Sequence, residues 1–123
     1  MSHQEDSHIV VRPWGIYEVL HEQRPGELFL VKKIVVSPES RLSLQTHQYR
    51  SEHWIVTSGH GQAVIGDDTL TVGPGSHIFI PRGTKHRLIN TQQNDCLEIV
   101  EVQVGEILKE SDIVRLEDDY KRN

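Results

Sequence analysis

Short apolar runs with strand-type alternation follow one another from residue 16 to residue 104, and each is cut off by a turn signal. The runs are IYEVL (16–20), LFLVKKIVV (28–36), RLSLQTH (41–47), EHWIVT (52–57), QAVIG (62–66), TLTV (69–72), HIFIP (77–81), HRLIN (86–90) and CLEIVEVQV (96–104). Between them lie SGHG, GDD, GPG, PRGT and NTQQND. Val, Ile and Thr favour extended backbone, whereas Gly, Pro, Asn and Asp supply turn geometry. No 3.6-residue apolar period is visible before residue 105, which argues against helical layers there. Short strands at this spacing bury their apolar faces in a sandwich or a barrel. The expected class is all-β, with a flexible polar arm over residues 1–11, one domain over 12–120 and a tail over 121–123. KESDIVRLEDDYKRN at the end predicts a short strand around Ile113–Leu116, with a small helix as the alternative.

A chain of 123 residues can bury one modest core. The net charge of -5 gives no basic footprint for nucleic acid. The single cysteine, Cys96, forms no internal disulfide, which fits a cytoplasmic setting. There is neither an apolar run long enough to span a bilayer nor a basic-plus-apolar leader, so no membrane partner is expected.

Two blocks carry the chemistry. In QTHQYRSEHW (45–54), alternation puts Gln45 and His47 on one face, and Glu52 and Trp54 together on the next run. In GSHIFIPRGTKHRLIN (75–90), Gly75 allows a turn, Pro81 stops a strand, and Gly83 permits a positive φ in the connection. His86 then opens the returning strand, and Asn90 can close the next turn through its side chain. A competing register pairs His47 with Tyr49.

These blocks resemble the two sequence motifs of the cupins, small double-stranded β-helix (jelly-roll) barrels. Gln45-x-His47, four residues, Glu52, six residues, Gly59 follows the first motif, with Gln45 in place of a histidine and Glu39 in place of a glycine. Residues 75–90 follow the second. The resemblance implies a divalent metal inside the barrel, held by Gln45, His47, Glu52 and His86. Zinc is the expected ion, and such a nitrogen–oxygen donor set also accepts Mn, Fe, Co or Ni.

A narrower resemblance runs through RPWG (12–15), RLSLQTHQYRSEHWIVTSG (41–59), IPRGTKHRLIN (80–90) and EIVEVQVGEILKESDIVRLEDDY (98–120). These segments look like type II phosphomannose isomerases, a module that also forms the C-terminal part of bifunctional mannose-1-phosphate guanylyltransferases. The chain departs from that family in HQY (47–49), where three consecutive histidines are usual, and in its DDYKR ending. The resemblance implies interconversion of mannose 6-phosphate and fructose 6-phosphate. The competing reading is a non-catalytic cupin that binds a sugar, sugar phosphate or sugar nucleotide, or regulates a partner enzyme.

Aldose–ketose isomerisation needs an electrophile, a base for a carbon-bound proton, and cations for the phosphate. Glu101 is the expected base. Alternation leaves either Glu101 or Glu98 pointing inward, but not both. Gln103 shares the face of Glu101 and is assigned to the substrate. Arg41, on the parity of Gln45 and His47, and Lys85, just before His86, are the expected catalytic and phosphate-binding cations. Arg115 joins them from the C-terminal block. Edge strands are commonly hidden by self-association, so a homodimer is expected.

Overall fold

The computed structural model describes residues 8–119. Its strands are β1 (His8–Arg12), β2 (Gly15–His21), β3 (Phe29–Val36), β4 (Leu44–His47), β5 (Ser51–Ser58), β6 (Gly61–Ile65), β7 (Asp68–Val72), β8 (His77–Ile80), β9 (His86–Ile89), β10 (Leu97–Val104) and β11 (Ile113–Glu117). The only helical element among the described residues is a 3-10 turn, Glu110–Asp112, just before β11. Every run of alternating residues thus becomes a strand, and the C-terminal alternative resolves in favour of the strand.

The strands form two antiparallel sheets. One is six-stranded in the order β1-β2-β3-β10-β5-β8, and the other is five-stranded in the order β11-β4-β9-β6-β7. No ladder joins one sheet to the other among the described residues. The architecture is therefore almost all-β, a two-sheet cupin-like fold of the expected class. Residues 8–11 of the expected N-terminal arm are ordered in β1, which pairs along its length with β2. Residues 1–7 and 120–123, where the rest of that arm and the expected tail fall, lie outside the described residues.

Apolar side chains from both sheets fill the space between them. Trp54, Val56 and Ile99 from the first sheet meet Ala63, Val72 and Leu88 from the second, all buried. Trp14 of the RPWG segment packs into the same core. Two apolar residues behave otherwise than their type suggests: Phe79 is exposed on β8, and Cys96 is exposed rather than packed. Asn90 closes its turn as expected, since its Oδ1 accepts from the Gln92 backbone N–H at 2.9 Å.

The burial of β10 is inverted relative to a simple apolar reading. Glu101 and Gln103 are buried, while Val100 and Val102 are half-buried on the outer face. In register, Glu101 stands between Lys32 of β3 and Trp54 of β5. The inner face of the first sheet is therefore polar at one end and apolar at the other. The polar end faces β4, β9 and β11, and that is where the site forms.

Candidate metal centre

Three strand ends bring the motif residues together. His47 ends β4, Glu52 is the second residue of β5, and His86 begins β9. All three are at least 97% buried, with 2%, 1% and 3% of their surface exposed respectively. The turn between His47 and Glu52 is held from outside by Asp112, whose carboxylate accepts from the backbone N–H groups of Gln48 and Tyr49 at 3.0 Å each. The turn before His86 is tied to His47 directly. Gly83 adopts φ 77°, a left-handed conformation that glycine takes without a Cβ clash, and its N–H donates to the His47 carbonyl at 2.8 Å. Tyr49 is half exposed, so the register pairing it with His47 is not the one adopted.

The three side chains offer ligand atoms that all lie within 4.8 Å of one another. His86 Nδ1 donates to the Thr84 carbonyl at 2.9 Å, so in the neutral ring the Nε2 lone pair faces inward. That nitrogen is 3.8 Å from Glu52 Oε1, too far for a hydrogen bond and suitable for two donors sharing an ion. Burial depresses the His86 pKa and favours the neutral, ligating form. His47 Nε2 is 3.1 Å from Glu52 Oε2, and its buried Nδ1 has no hydrogen-bond partner. Burial alone would raise the Glu52 pKa. Hydrogen bonds with His47 and Glu101 and the charge of Arg50 outweigh it, and the carboxylate is held well below its usual range. Two buried imidazoles and one ionised carboxylate, with ligand atoms converging within 4.8 Å and one ring nitrogen of His47 unpartnered, fit a divalent d-block ion.

Gln45 pairs in register with His86 across β4 and β9, and it lines two cavities, one of which Glu52 and His86 also line. Its Nε2 donates to Ser43 Oγ at 2.9 Å, which leaves Oε1 as the atom available to a cation. Glu101 also lines both cavities. Its Oε2 accepts from the Trp54 indole N–H at 3.1 Å and its Oε1 from Gln103 Nε2 at 2.8 Å. Burial, together with the charge of Glu52, pushes the Glu101 pKa up to about 8. Glu98 lies on the opposite face and pairs with Lys33, so the alternation resolves in favour of Glu101. Arg115, in register with Gln45, lines the larger cavity, whose empty space counted out to its open mouth is about 450 Å³.

Two of the expected cations are elsewhere. Arg41 donates to Asp119 Oδ2 at 2.6 Å and Oδ1 at 3.0 Å on the surface, and it lines neither cavity beside the metal group. It precedes β4, so strand parity does not govern it. Lys85 is exposed and pairs with Asp67 Oδ1 at 3.4 Å, also away from both cavities. It sits in the connection before β9, where alternation again does not hold. The cations that do line the larger cavity beside Arg115 are Arg12, Lys32 and Arg50. Lys32 is buried, stacks 4.2 Å from the Tyr17 ring centroid, and pairs with Glu110 at 3.2 Å. Arg50 lies just before β5, outside the strand like Arg41 and Lys85, so alternation does not place it either; its contact with Glu52 does. Asp112 gives no signal in the sequence, because its partners lie more than 60 residues away.

A two-sheet β fold enclosing a His/His/Glu group defines a cupin. Likeness to solved structures agrees on the fold. A cupin-2 domain from Rhodospirillum rubrum superposes with a TM-score of 0.73 at 17% identity, covering 91% of this chain and 82% of that one. Oxalate decarboxylase from Bacillus subtilis superposes with a TM-score of 0.79 at 18% identity, over 91% of this chain and 30% of that one. At sequence level, the family described as mannose-6-phosphate isomerase C-terminal matches residues 1–118, and the chain belongs to that family. The Xanthan biosynthesis protein XanB of Xanthomonas campestris is 46% identical over 92% of this chain. The Alginate biosynthesis protein AlgA of Pseudomonas aeruginosa is 47% identical over the same share, and Mannose-1-phosphate guanylyltransferase 2 of Escherichia coli O157:H7 is 41% identical over 98%. The chain spans 23% of the length of each of these three relatives.

Proposed function

We propose that this domain is a metal-dependent isomerase that interconverts mannose 6-phosphate and fructose 6-phosphate. The observation that carries the reading is the position of Glu101: a buried carboxyl group that shares the Trp54 indole N–H with Glu52, at the back of a cavity rimmed by cations. Its ligands for the ion are His47, Glu52 and His86, with the Gln45 amide oxygen as a fourth. Zinc suits this set. Manganese also does, and one structural relative, the Bacillus subtilis oxalate decarboxylase, is described with Mn(II) centres. The ion supplies Lewis acidity that polarises the substrate carbonyl.

The chain's own residues account for the proton. Glu101 as carboxylate takes the proton from C2 of mannose 6-phosphate. The C2–H electron pair forms the C1=C2 bond, and the carbonyl pair moves onto O1. The O2 proton passes to O1, the C2=O bond forms, and the C1=C2 pair takes the proton back from Glu101 at C1, giving fructose 6-phosphate. One group must therefore both accept and return a carbon-bound proton, which a carboxyl pKa near the working pH favours. Gln103 and Trp54 fix its two oxygens. Arg115, Lys32 and Arg12 at the cavity wall suit the phosphate.

No described helix is long and apolar enough to cross a membrane. In this reading the enzyme is cytoplasmic and pairs with a second copy of itself through its sheet edges. A coupled assay from mannose 6-phosphate to fructose 6-phosphate, on protein of measured metal content, tests the activity. Turnover that disappears with chelator and returns with Zn²⁺, Mn²⁺ or Co²⁺ is expected. Binding of the sugar phosphate without turnover under every ion would replace the isomerase with a sugar-phosphate-binding cupin.

A further inference from the structure

Arg50 is the least solvated cation of the cavity wall, with 4% of its surface exposed. Its guanidinium is fixed on two sides. Nε donates to Glu52 Oε2 at 2.9 Å, and Nη2 lies 3.2 Å from His47 Nε2. The third nitrogen, Nη1, is buried and has no hydrogen-bond partner. The residue lines the larger cavity, together with Gln45, Glu101 and Gln103, and not the smaller one behind it. A buried guanidinium N–H without an acceptor is costly, and a guanidinium cannot shed its proton to escape that cost. The planar fork also means that holding Nε and Nη2 fixes the direction of Nη1.

We propose that Arg50 Nη1 is a ligand-binding donor that takes an anionic oxygen at the reacting end of the substrate, beside the metal centre. The substrate class rests on the sugar-phosphate reading above. The position follows from the fork. Arg50 holds Glu52 and His47 through one edge of its guanidinium, and Nη1 projects from the opposite side, one guanidinium width further from the ligand group; for a hexose 6-phosphate bound with C1 and C2 toward the ion, the oxygens on those carbons are the nearest to it. The phosphate is attached at the far end of the carbon chain and belongs to cations further out, such as Arg115, whose Nε is likewise buried without a hydrogen-bond partner. Negative charge that develops on O1 or O2 during proton transfer then meets a preorganised donor.

The test uses two probes and no turnover: a five-carbon aldonic acid 5-phosphate, whose carboxylate mimics the paired oxygens of an enediolate, and the corresponding alditol 5-phosphate, which lacks that charge. Calorimetry is run on metal-loaded wild type, Arg50→Lys and Arg50→Gln, with metal content and thermal unfolding measured for each. Arg50→Lys keeps a cation against Glu52 and removes the fork. Wild type is expected to prefer the aldonate by about tenfold or more, and both variants to reduce that preference below about threefold while the alditol phosphate binds about as before. An undiminished preference in the variants, an equal loss for both probes, or no binding of either probe to wild type overturns the proposal. Loss of the metal in both variants also overturns it, because Arg50 would then only support Glu52. A wild type that shows the preference but no isomerase activity sinks the isomerase reading and leaves the Arg50 assignment standing.

Discussion

Glu52 and Glu101, on adjacent strands β5 and β10, share one donor: the Trp54 indole N–H reaches Glu52 Oε1 and Glu101 Oε2 at 3.1 Å each. Their pKa values are driven apart. Burial and the neighbouring charge lift Glu101 to about 8, and Glu52 is held low despite its own burial. At neutral pH one proton resides mainly on Glu101, leaving Glu52 ionised for a cation.

This division makes the metal-free protein sensitive to alkali. The folded pKa of Glu101, about 8, lies above its ordinary 4.5. The folded state therefore holds a proton that the unfolded chain releases between those values, and the stability this confers is full below the lower value and is lost as pH rises through the upper one. Chelator-treated wild type should lose stability from pH 6 to pH 9, with at most about 1.4 kcal/mol per pH unit from this one proton. Glu101→Gln should flatten that slope. Urea unfolding at several pH values measures it, and an unchanged slope would reject the assignment.

His86→Ala should lower metal affinity by more than about 100-fold and abolish turnover, since a ligand is lost outright. The far-ultraviolet circular dichroism should stay that of a β protein. Elemental analysis with a competitive chelator titration checks the first point. A variant that retains its ion would reject the centre.

Gln45→His replaces an amide oxygen with an imidazole next to His86. Metal affinity should rise by about tenfold or more. The cost is the loss of the Gln45 hydrogen bond to Ser43 Oγ. Unchanged affinity in the same titration would remove residue 45 from the ligand set.

Arg41→Ala should leave KM for the phosphorylated sugar within about twofold of wild type, because Arg41 is spent on Asp119 at the surface. The stability change should stay below about 1 kcal/mol, as for other exposed ion pairs. A clear rise in KM would return Arg41 to the phosphate.

Glu39 carries φ 55°, the one positive φ of a non-glycine residue among those described. It occupies the position where the first cupin motif has glycine. Glu39→Gly should relieve left-handed strain at some cost in chain entropy, a net gain of about 0.5–1 kcal/mol. Thermal or denaturant unfolding checks it, and a loss of stability would show that the Glu39 side chain contributes more than its strain.

The sequence by itself determined the local grammar. Turn residues and two-residue alternation set the strands, and the resemblance to the cupin motifs pointed to His47, Glu52 and His86, whose donor atoms the fold brings within 4.8 Å of one another. Only the tertiary structure decided which face of β10 turns inward, since parity separates Glu98 from Glu101 without saying which is inside. It took the registry with Lys32 and Trp54 to bury the carboxyl of Glu101 and leave the valines outward. Long cationic side chains likewise choose their partners in space. Arg41 found Asp119 across 78 residues of sequence, while Arg50 folded back onto Glu52 two residues away. Whether the sheets close into a barrel was equally illegible, because that depends on hydrogen bonding between strands far apart in the chain, and local pattern carries no record of it.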